Sequence, residues 1–468
     1  MIRPVFLREI LGFVRASENS LGAQLQHGDS EFTAVSTDTR SLQQGELFIA
    51  LRGDKYDAHD FLADALAKQP CALVVENYYP EISVPQLVVS DSLLALGQIA
   101  AFNRSLFTGP LIAITGSSGK TTVKTLVASI LNEMGATHAT KGNFNNHIGV
   151  PLTLLQLDAQ HQFAVIEMGA SGPDEIAYLC SLAKPQVAMI NNVMPAHIAG
   201  FGSIEGVARA KGEIYSGLAK AASAKAVVNL DDVFAAQWLQ QLAQQDFTAQ
   251  QVIKVSLHDT GADCYAQNIV TKNDGLEFTL HINNTSAAMF LNAQGQHSVR
   301  NGLMAAACAV AVGANLQHVQ RGLENFAPVA GRMSRQRGYQ QATIIDDSYN
   351  ANPGSVRAAI DVLSQAECGI LVLGDLGELG EDAAQMHAEL GSYARSKSVY
   401  KLFTLGVLSE NASQAFGANA EHFQQREALV AALKAIADTK TTFLIKGSRS
   451  AKMELVVREL CDLAGETH

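Results

Sequence analysis

The segment PLIAITGSSGKTTVKTLVASILNEMG (110–135) constrains this chain more than any other stretch. Its opening apolar run is short and does not alternate, so it reads as a strand buried on both faces. Such strands belong to parallel sheets covered by helices. The following turn is built of small residues, Gly116, Ser117, Ser118 and Gly119, and it opens directly into an amphipathic helix. Small residues let backbone N–H groups wrap a phosphate, and the helix N-terminus adds positive potential. Lys120 stands where it reaches the β- and γ-phosphates, Thr121 where a hydroxyl ligates Mg²⁺, and Thr122 continues the helix. The full P-loop pattern would place a further glycine where Ile114 stands, so the match is to a shorter G-x-x-G-K-T loop. A plain glycine turn between strand and helix has no need of Lys-Thr-Thr.

The rest of the chain repeats this alternation. FAVIEMG, PQVAMINN and KAVVNL extend it through the middle, and TIID, GILVLGD, KLFTLG and TTFLIKG resume it towards the C-terminus. A polar, Gln-rich stretch (237–251) and alternating runs near EFTLHI and AAMFLNA interrupt the middle block, before an Ala-rich helix expected from about Val299. The first block opens with a helix-like stretch at 5–14, followed by strand-like runs at 71–75 and 86–89 and a helix capped by Asp91. With 468 residues, about three domains are expected. We place them at 1–108, 109–327 and 328–468. The fold class is α/β, with a central P-loop-type, doubly wound and mostly parallel sheet. A Rossmann-like α/β domain follows it, and a smaller α/β domain precedes it. Gly116, Glu167, Asn191, Asp347, Asp375 and Lys446 each follow a predicted strand, at the edges where such sheets gather ligands.

Composition narrows the partners. The 34 Lys+Arg against 45 Asp+Glu leave a net charge of −11, which argues against nucleic-acid coats and polybasic membrane binders. Six dispersed cysteines without a C-x-x-C spacing support neither a zinc nor a disulfide framework. Charged residues run through the N-terminal stretch, and no apolar run approaches the length of a membrane span. The expectation is a soluble cytoplasmic protein, and a monomer, since no sustained heptad is visible.

The remaining candidate residues each carry two readings. Glu167, ending FAVIE, is a Mg²⁺ carboxylate or a helix cap. His197 lies in a Gly-rich loop, as a site residue or a solvated one. Lys211 lacks an acidic residue three or four positions away, which favours a place inside a site over a surface ion pair. His297 and Asn301 share a helix face; the Asn reads an adenine edge, or the two form a capping pair. Arg332 follows a Pro/Gly tract, as a phosphate cation or a hinge residue. IIDDSYNANPGS (344–355) gathers two acids, a Tyr and two amides at a strand end, more than a turn alone requires.

Taken together, TGSSGKTT, GNFNNHIGVPLTLL, AKGEIYSGL, DDSYNANP, LGDLGELG and KGSRSAKME, with VSTDTRSLQQGELFIALRG near the start, resemble the Mur ligase family in the expected order. The resemblance runs from about Ser36 to Glu454. It implies an ATP- and Mg²⁺-dependent ligase of peptidoglycan stem-peptide synthesis that joins D-alanyl-D-alanine to UDP-N-acetylmuramoyl-tripeptide through an acyl phosphate. By matching position it implies that Lys120 and its loop bind phosphates, and that Thr121, Glu167, His197 and a carbamylated Lys211 serve Mg²⁺. It further implies Asn301 on adenine, Arg332 on a phosphate and Asp347 on the ribose. Asn145 and Asn146, together with Tyr349, Asn350 and Asn352, would contact substrates, the latter three the incoming dipeptide. Ser36, Asp38 and Arg40 would help hold the uridine nucleotide. The alternatives are another amide ligase on this scaffold, such as a folylpolyglutamate synthase, or a nucleotide-binding regulator.

Overall fold

The computed structural model describes residues 1–461 except 18, 54–55, 196–197, 219–220 and 273–274. Its strands form a five-stranded sheet between residues 24 and 88, with a two-stranded ribbon beside it. A nine-stranded sheet follows between 111 and 291, and a six-stranded sheet between 334 and 446.

In the nine-stranded sheet Leu111–Thr115 lies between Phe163–Glu167 and Val187–Ile190, parallel to both. Every residue of these three strands is buried, as their unbroken apolar runs require. The chain passes from Leu111–Thr115 to Thr137–Ala139 and back to Phe163–Glu167 on one side, then to Val187–Ile190 on the other. Strand order therefore reverses at Leu111–Thr115, and a crevice opens beyond its carboxyl end. The alternating runs near EFTLHI and AAMFLNA do break the strand–helix alternation, as expected, and at the same time they extend this sheet. Leu276–Ile282 and Thr285–Leu291 pair antiparallel on its edge and bury alternate residues, which is why their pattern differs.

The six-stranded sheet is parallel except for its edge strand Ser334–Arg337. Thr343–Asp347 and Thr441–Lys446 run side by side with Asp347 opposite Lys446. Two expected helices shift slightly. The Ala-rich helix spans Gln296–Val310, and the first helix is Leu7–Ala16, preceded by a short strand at Val5–Phe6. Among the described residues no helix is long and apolar enough to cross a membrane.

The first and central sheets are joined through the helix Ser92–Leu106, whose Asp91 cap accepts from Leu94 N at 2.8 Å as expected. It packs against the helices Gly149–Leu155 and Glu175–Ala183. Arg104, on its last turn, is buried. Its guanidinium donates to the carbonyls of Ala183 at 2.7 Å, Phe107 at 2.9 Å and Lys184 at 3.2 Å. A cation can be buried there because the negative end of a helix receives it. Arg104→Ala strands those carbonyls and opens a void; we expect a loss of about 2–4 kcal/mol in urea unfolding. A loss below about 0.5 kcal/mol would contradict this reading.

Candidate active site

A cleft of about 480 Å³ lies between the central and C-terminal sheets. One wall is the carboxyl edge at Leu111–Thr115, the other the edge carrying Asp347 and Lys446. The two sides touch closely. A methyl group added at Gly354 would sit 2.5 Å from Met194 Sδ, and one at Gly295 would sit 2.6 Å from a Val362 methyl.

On the central side, Gly116 and Gly119 adopt φ of +151° and +76°, values that side-chain-bearing residues rarely take. The helix Lys120–Asn132 starts at Gly119 without a side-chain cap, so its first N–H groups face the cleft unclaimed by any capping side chain. Lys120 Nζ bonds back to Gly116 O at 2.8 Å. Burial lowers its pKa, with Glu167 opposing and Arg332 reinforcing that shift. Arg332, from the other sheet, is thus close enough to be felt at the phosphate loop.

Glu167 is 2 % exposed. Its carboxylate accepts from Thr121 Oγ1 and from Asn145 Nδ2, each at 2.8 Å. The structure thus brings together Thr121 and Glu167, the two residues expected to share one Mg²⁺, and among the described residues Glu167 caps no helix. Asn146 also lines the cleft, but its Oδ1 accepts from Gly149 N and so starts the next helix.

Lys211, on the helix Ile204–Ser216, is 2 % exposed and lines the cleft. Among the described residues its Nζ has no carboxylate or hydrogen-bond partner; the Phe201 ring lies 5.9 Å away. Burial, with Lys120 nearby, brings its pKa down to about 7. His197 lies outside the described residues.

Asn301 is buried in the cleft wall and accepts from Asn191 Nδ2 at 3.0 Å, rather than pairing with His297. His297 lines the cleft too. Its pKa is lowered to about 4 by burial, with Arg300 and Lys446 adding to the shift.

On the opposite wall Arg332 stacks over the Tyr349 ring at 4.2 Å, and Arg449 approaches the same ring at 5.7 Å. Asp347 forms a buried ion pair with Lys446, which also donates to Asn350 O at 3.0 Å; Met333 N donates to the other Asp347 oxygen at 3.1 Å. Asn350 and Asn352 line the cleft. The Asn352 side chain is engaged as the cap of Pro353–Leu363, accepting from Ser355 N at 2.8 Å, with Pro353 in the first turn as expected.

Ser36, Asp38 and Arg40 are not brought to this cleft. They lie together at the first sheet, where Arg40 pairs with Asp38 at 2.6 Å and Ser36 Oγ donates to Asp38 O. Arg300 and Arg449 also line the cleft, beyond the residues expected there, and Lys446 is marked in the sequence only by its place at a strand end. For Lys446 that position was the available signal. The two arginines carry none, because their approach depends on how the sheets face each other.

The donor set fits a magnesium nucleotide. Among the described residues no group of three or more His, Cys, Asp or Glu could hold a metal, so an all-protein cage is absent there. A carboxylate beside a hydroxyl, facing an anion loop, suits an ion that keeps waters and phosphate oxygens.

This enzyme, with a cleft between its central and C-terminal sheets, belongs to the Mur ligase family: residues 114–309 match the Mur ligase middle domain and 331–449 the Mur ligase, glutamate ligase domain. It is 42% identical to the UDP-N-acetylmuramoyl-tripeptide–D-alanyl-D-alanine ligase of Escherichia coli (strain K12), over 94% of this chain and 96% of that one. The crystal structure of MurF from Acinetobacter baumannii superposes with a TM-score of 0.89 at 33% identity, covering 98% and 99% of the two chains. MurF ligase from Thermotoga maritima, solved in complex with ADP, shares the fold at 23% identity and a TM-score of 0.81, over 91% and 96%.

The Lys211 shift makes stability depend on pH in a definite direction. Between about 7 and 10.5 the unfolded chain holds the proton and the folded chain does not. The penalty is complete below about 7 and vanishes above 10.5, so stability rises with pH across that window by up to about 1.4 kcal/mol per pH unit. Lys211→Met should flatten this slope between pH 7 and 9 in CO₂-free urea unfolding. Equal slopes in the two proteins would refute the shift.

Proposed function

We propose that this chain joins D-alanyl-D-alanine to UDP-N-acetylmuramoyl-tripeptide at the expense of ATP. Its products are the UDP-muramoyl-pentapeptide precursor of peptidoglycan, ADP and phosphate. The observation that carries this is the cleft itself. A phosphate loop with Lys120, Thr121 and Glu167 faces Arg332, Tyr349 and Asn350 across one space, as coupling nucleotide cleavage to acyl transfer requires. Other amide ligases on this scaffold are not favoured, because the similarity to the D-alanyl-D-alanine-adding enzymes runs the length of both chains.

A carboxylate oxygen of the tripeptide attacks the γ-phosphorus, the bond to ADP breaks, and an acyl phosphate forms. The dipeptide amine then attacks the acyl carbon, and phosphate leaves with the electrons of the C–O bond as the amine loses a proton. The protein's part is positioning and charge neutralisation. In this reading Gly116, Ser117, Ser118, Gly119, Thr122 and Lys120 cradle the phosphates and Arg332 adds a cation from the far wall. Asn301 and Asp347 face adenine and ribose. Mg²⁺, held at Thr121 and Glu167 with His197 and Lys211 serving a second ion, would neutralise charge on the phosphates.

Lys211 supplies its share as a carbamate. A buried amine with a pKa of about 7 keeps a substantial unprotonated share at neutral pH. An ordinary lysine leaves fewer than about one amine in a thousand free. The free amine adds to CO₂, an N–C bond forms, a proton leaves, and the cation becomes an anionic oxygen ligand.

We assign residues 1–108 to the uridine nucleotide, with Ser36, Asp38 and Arg40 contributing, 109–327 to ATP, and 328–468 to the dipeptide near Tyr349, Asn350 and Asn352. Asn145 and Asn146 lie on the path of the tripeptide. We place the enzyme in the cytoplasm, acting as a monomer.

Phosphate release from ATP should require both UDP-muramoyl-tripeptide and D-alanyl-D-alanine; equal turnover without either acceptor would sink the ligase reading. Lys211→Ala should lower kcat/KM by at least about a thousandfold, without rescue by bicarbonate. In ¹³C-bicarbonate the wild type should show a carbamate resonance that this variant lacks. Retained activity would remove the carbamate role.

A further inference from the structure

The phosphate loop does not hold its shape alone. The strand Val187–Ile190 delivers two consecutive asparagines to it, and their side chains converge on the backbone of one residue, Ser118. Asn192 Oδ1 accepts from Ser118 N at 2.9 Å while its Nδ2 donates to Ser118 O at 3.1 Å. Asn191 Nδ2 donates to the same carbonyl at 2.9 Å and to Asn301 Oδ1 at 3.0 Å. Ser117 N donates to Asn192 O at 2.9 Å, and Met194 N donates to Ser117 Oγ at 3.0 Å. Asn191 is itself pinned, with its N donating to Thr115 O at 2.9 Å and its carbonyl accepting from Asn229 Nδ2 at 2.8 Å.

Two consequences follow. Both lone pairs of the Ser118 carbonyl are taken by amide donors, so this oxygen is held against the asparagines. A carbonyl turned into the cleft would repel a phosphate; one held aside leaves the N–H groups at the start of the Lys120–Asn132 helix facing the anion. The clamp also fixes the peptide before Gly119, whose Cα lies so close that an added methyl would meet Asn191 Nδ2 at 2.5 Å and Asn301 Oδ1 at 3.1 Å. Asn191 is 1 % exposed, and its Oδ1 has no partner among the described residues. Flipping the amide would set that oxygen against Ser118 O and Asn301 Oδ1. The donor side therefore decides the orientation, at the expense of an orphaned acceptor.

We propose that Asn191 and Asn192 are positioning residues for nucleotide phosphate binding, acting through Ser118 to keep the loop in its anion-accepting shape. This rests on the ATP-dependent reading above. Asn192 is partly exposed, so its truncation tests the role without opening the core. In the full-length protein, Asn192→Ala should weaken Mg²⁺–ADP binding by about tenfold in calorimetry, while the KM for D-alanyl-D-alanine stays within about twofold. Hydrogen exchange should accelerate in residues 116–122 and remain unchanged in the strand 111–115. Asn192→Ser, which keeps an oxygen able to accept from Ser118 N, should recover part of the affinity. Equal ADP binding by Asn192→Ala and wild type overturns the positioning role, as does exchange that accelerates equally throughout the sheet. A wild type that fails to bind ADP overturns the functional reading instead, and this role with it.

Discussion

Everything in this structure that concerns chemistry depends on where the strand order of the central sheet reverses. Because Leu111–Thr115 is flanked by parallel strands that connect in opposite directions, no crossover covers its carboxyl end. Gly116, Glu167 and Asn191 are widely separated in sequence yet become neighbours there. The burial of those strands makes the register rigid, so the loop and its carboxylate are presented by packed backbone.

Desolvation then sets the electrostatics. Lys120 and Lys211 occupy one cleft within a chain of net charge −11, and burial lowers the pKa of both. A diffuse negative charge does not prevent the binding of anions when cations are concentrated in a water-poor crevice. The second wall adds Arg332 while keeping Lys446 neutralised by Asp347, so the two sheets divide the positive charge unequally. From the second wall the stacked Arg332–Tyr349 pair faces the first, where the proposed nucleotide would lie.

Much of this was legible in the chain itself. The strand–loop–helix around Gly116, the strand end at Glu167 and the missing acidic partner of Lys211 each pointed to a site, and each of these residues lines the cleft. Less legible was which polar side chains are spent on backbone. Asn146 and Asn352 lie in motifs that suggest substrate contact, yet their side-chain oxygens start helices. Asn301 shares a helix face with His297, but it bonds to Asn191 from a different strand. Hydrogen-bond capacity is visible in a residue's type, whereas its use depends on which donor arrives first in space.

Sequence by itself determined the α/β class, the alternation that makes a parallel sheet, the phosphate loop and the order of its companion motifs. These follow from local periodicity and from residue chemistry at fixed spacing, which need no distant partner. Tertiary structure alone decided that the edge strands near Leu276 and Thr285 extend the central sheet, that Asp347 falls opposite Lys446, that Arg332 and Arg449 flank one tyrosine, and that two asparagines grip Ser118. Apart from the hairpin of those edge strands, the decisive ones pair segments far apart in the chain: Asp347 with Lys446, Arg449 with Tyr349, and the asparagines with Ser118. Register and sheet-to-sheet orientation, set by the packing of whole cores, bring such segments together, and no local pattern of residues records that arrangement.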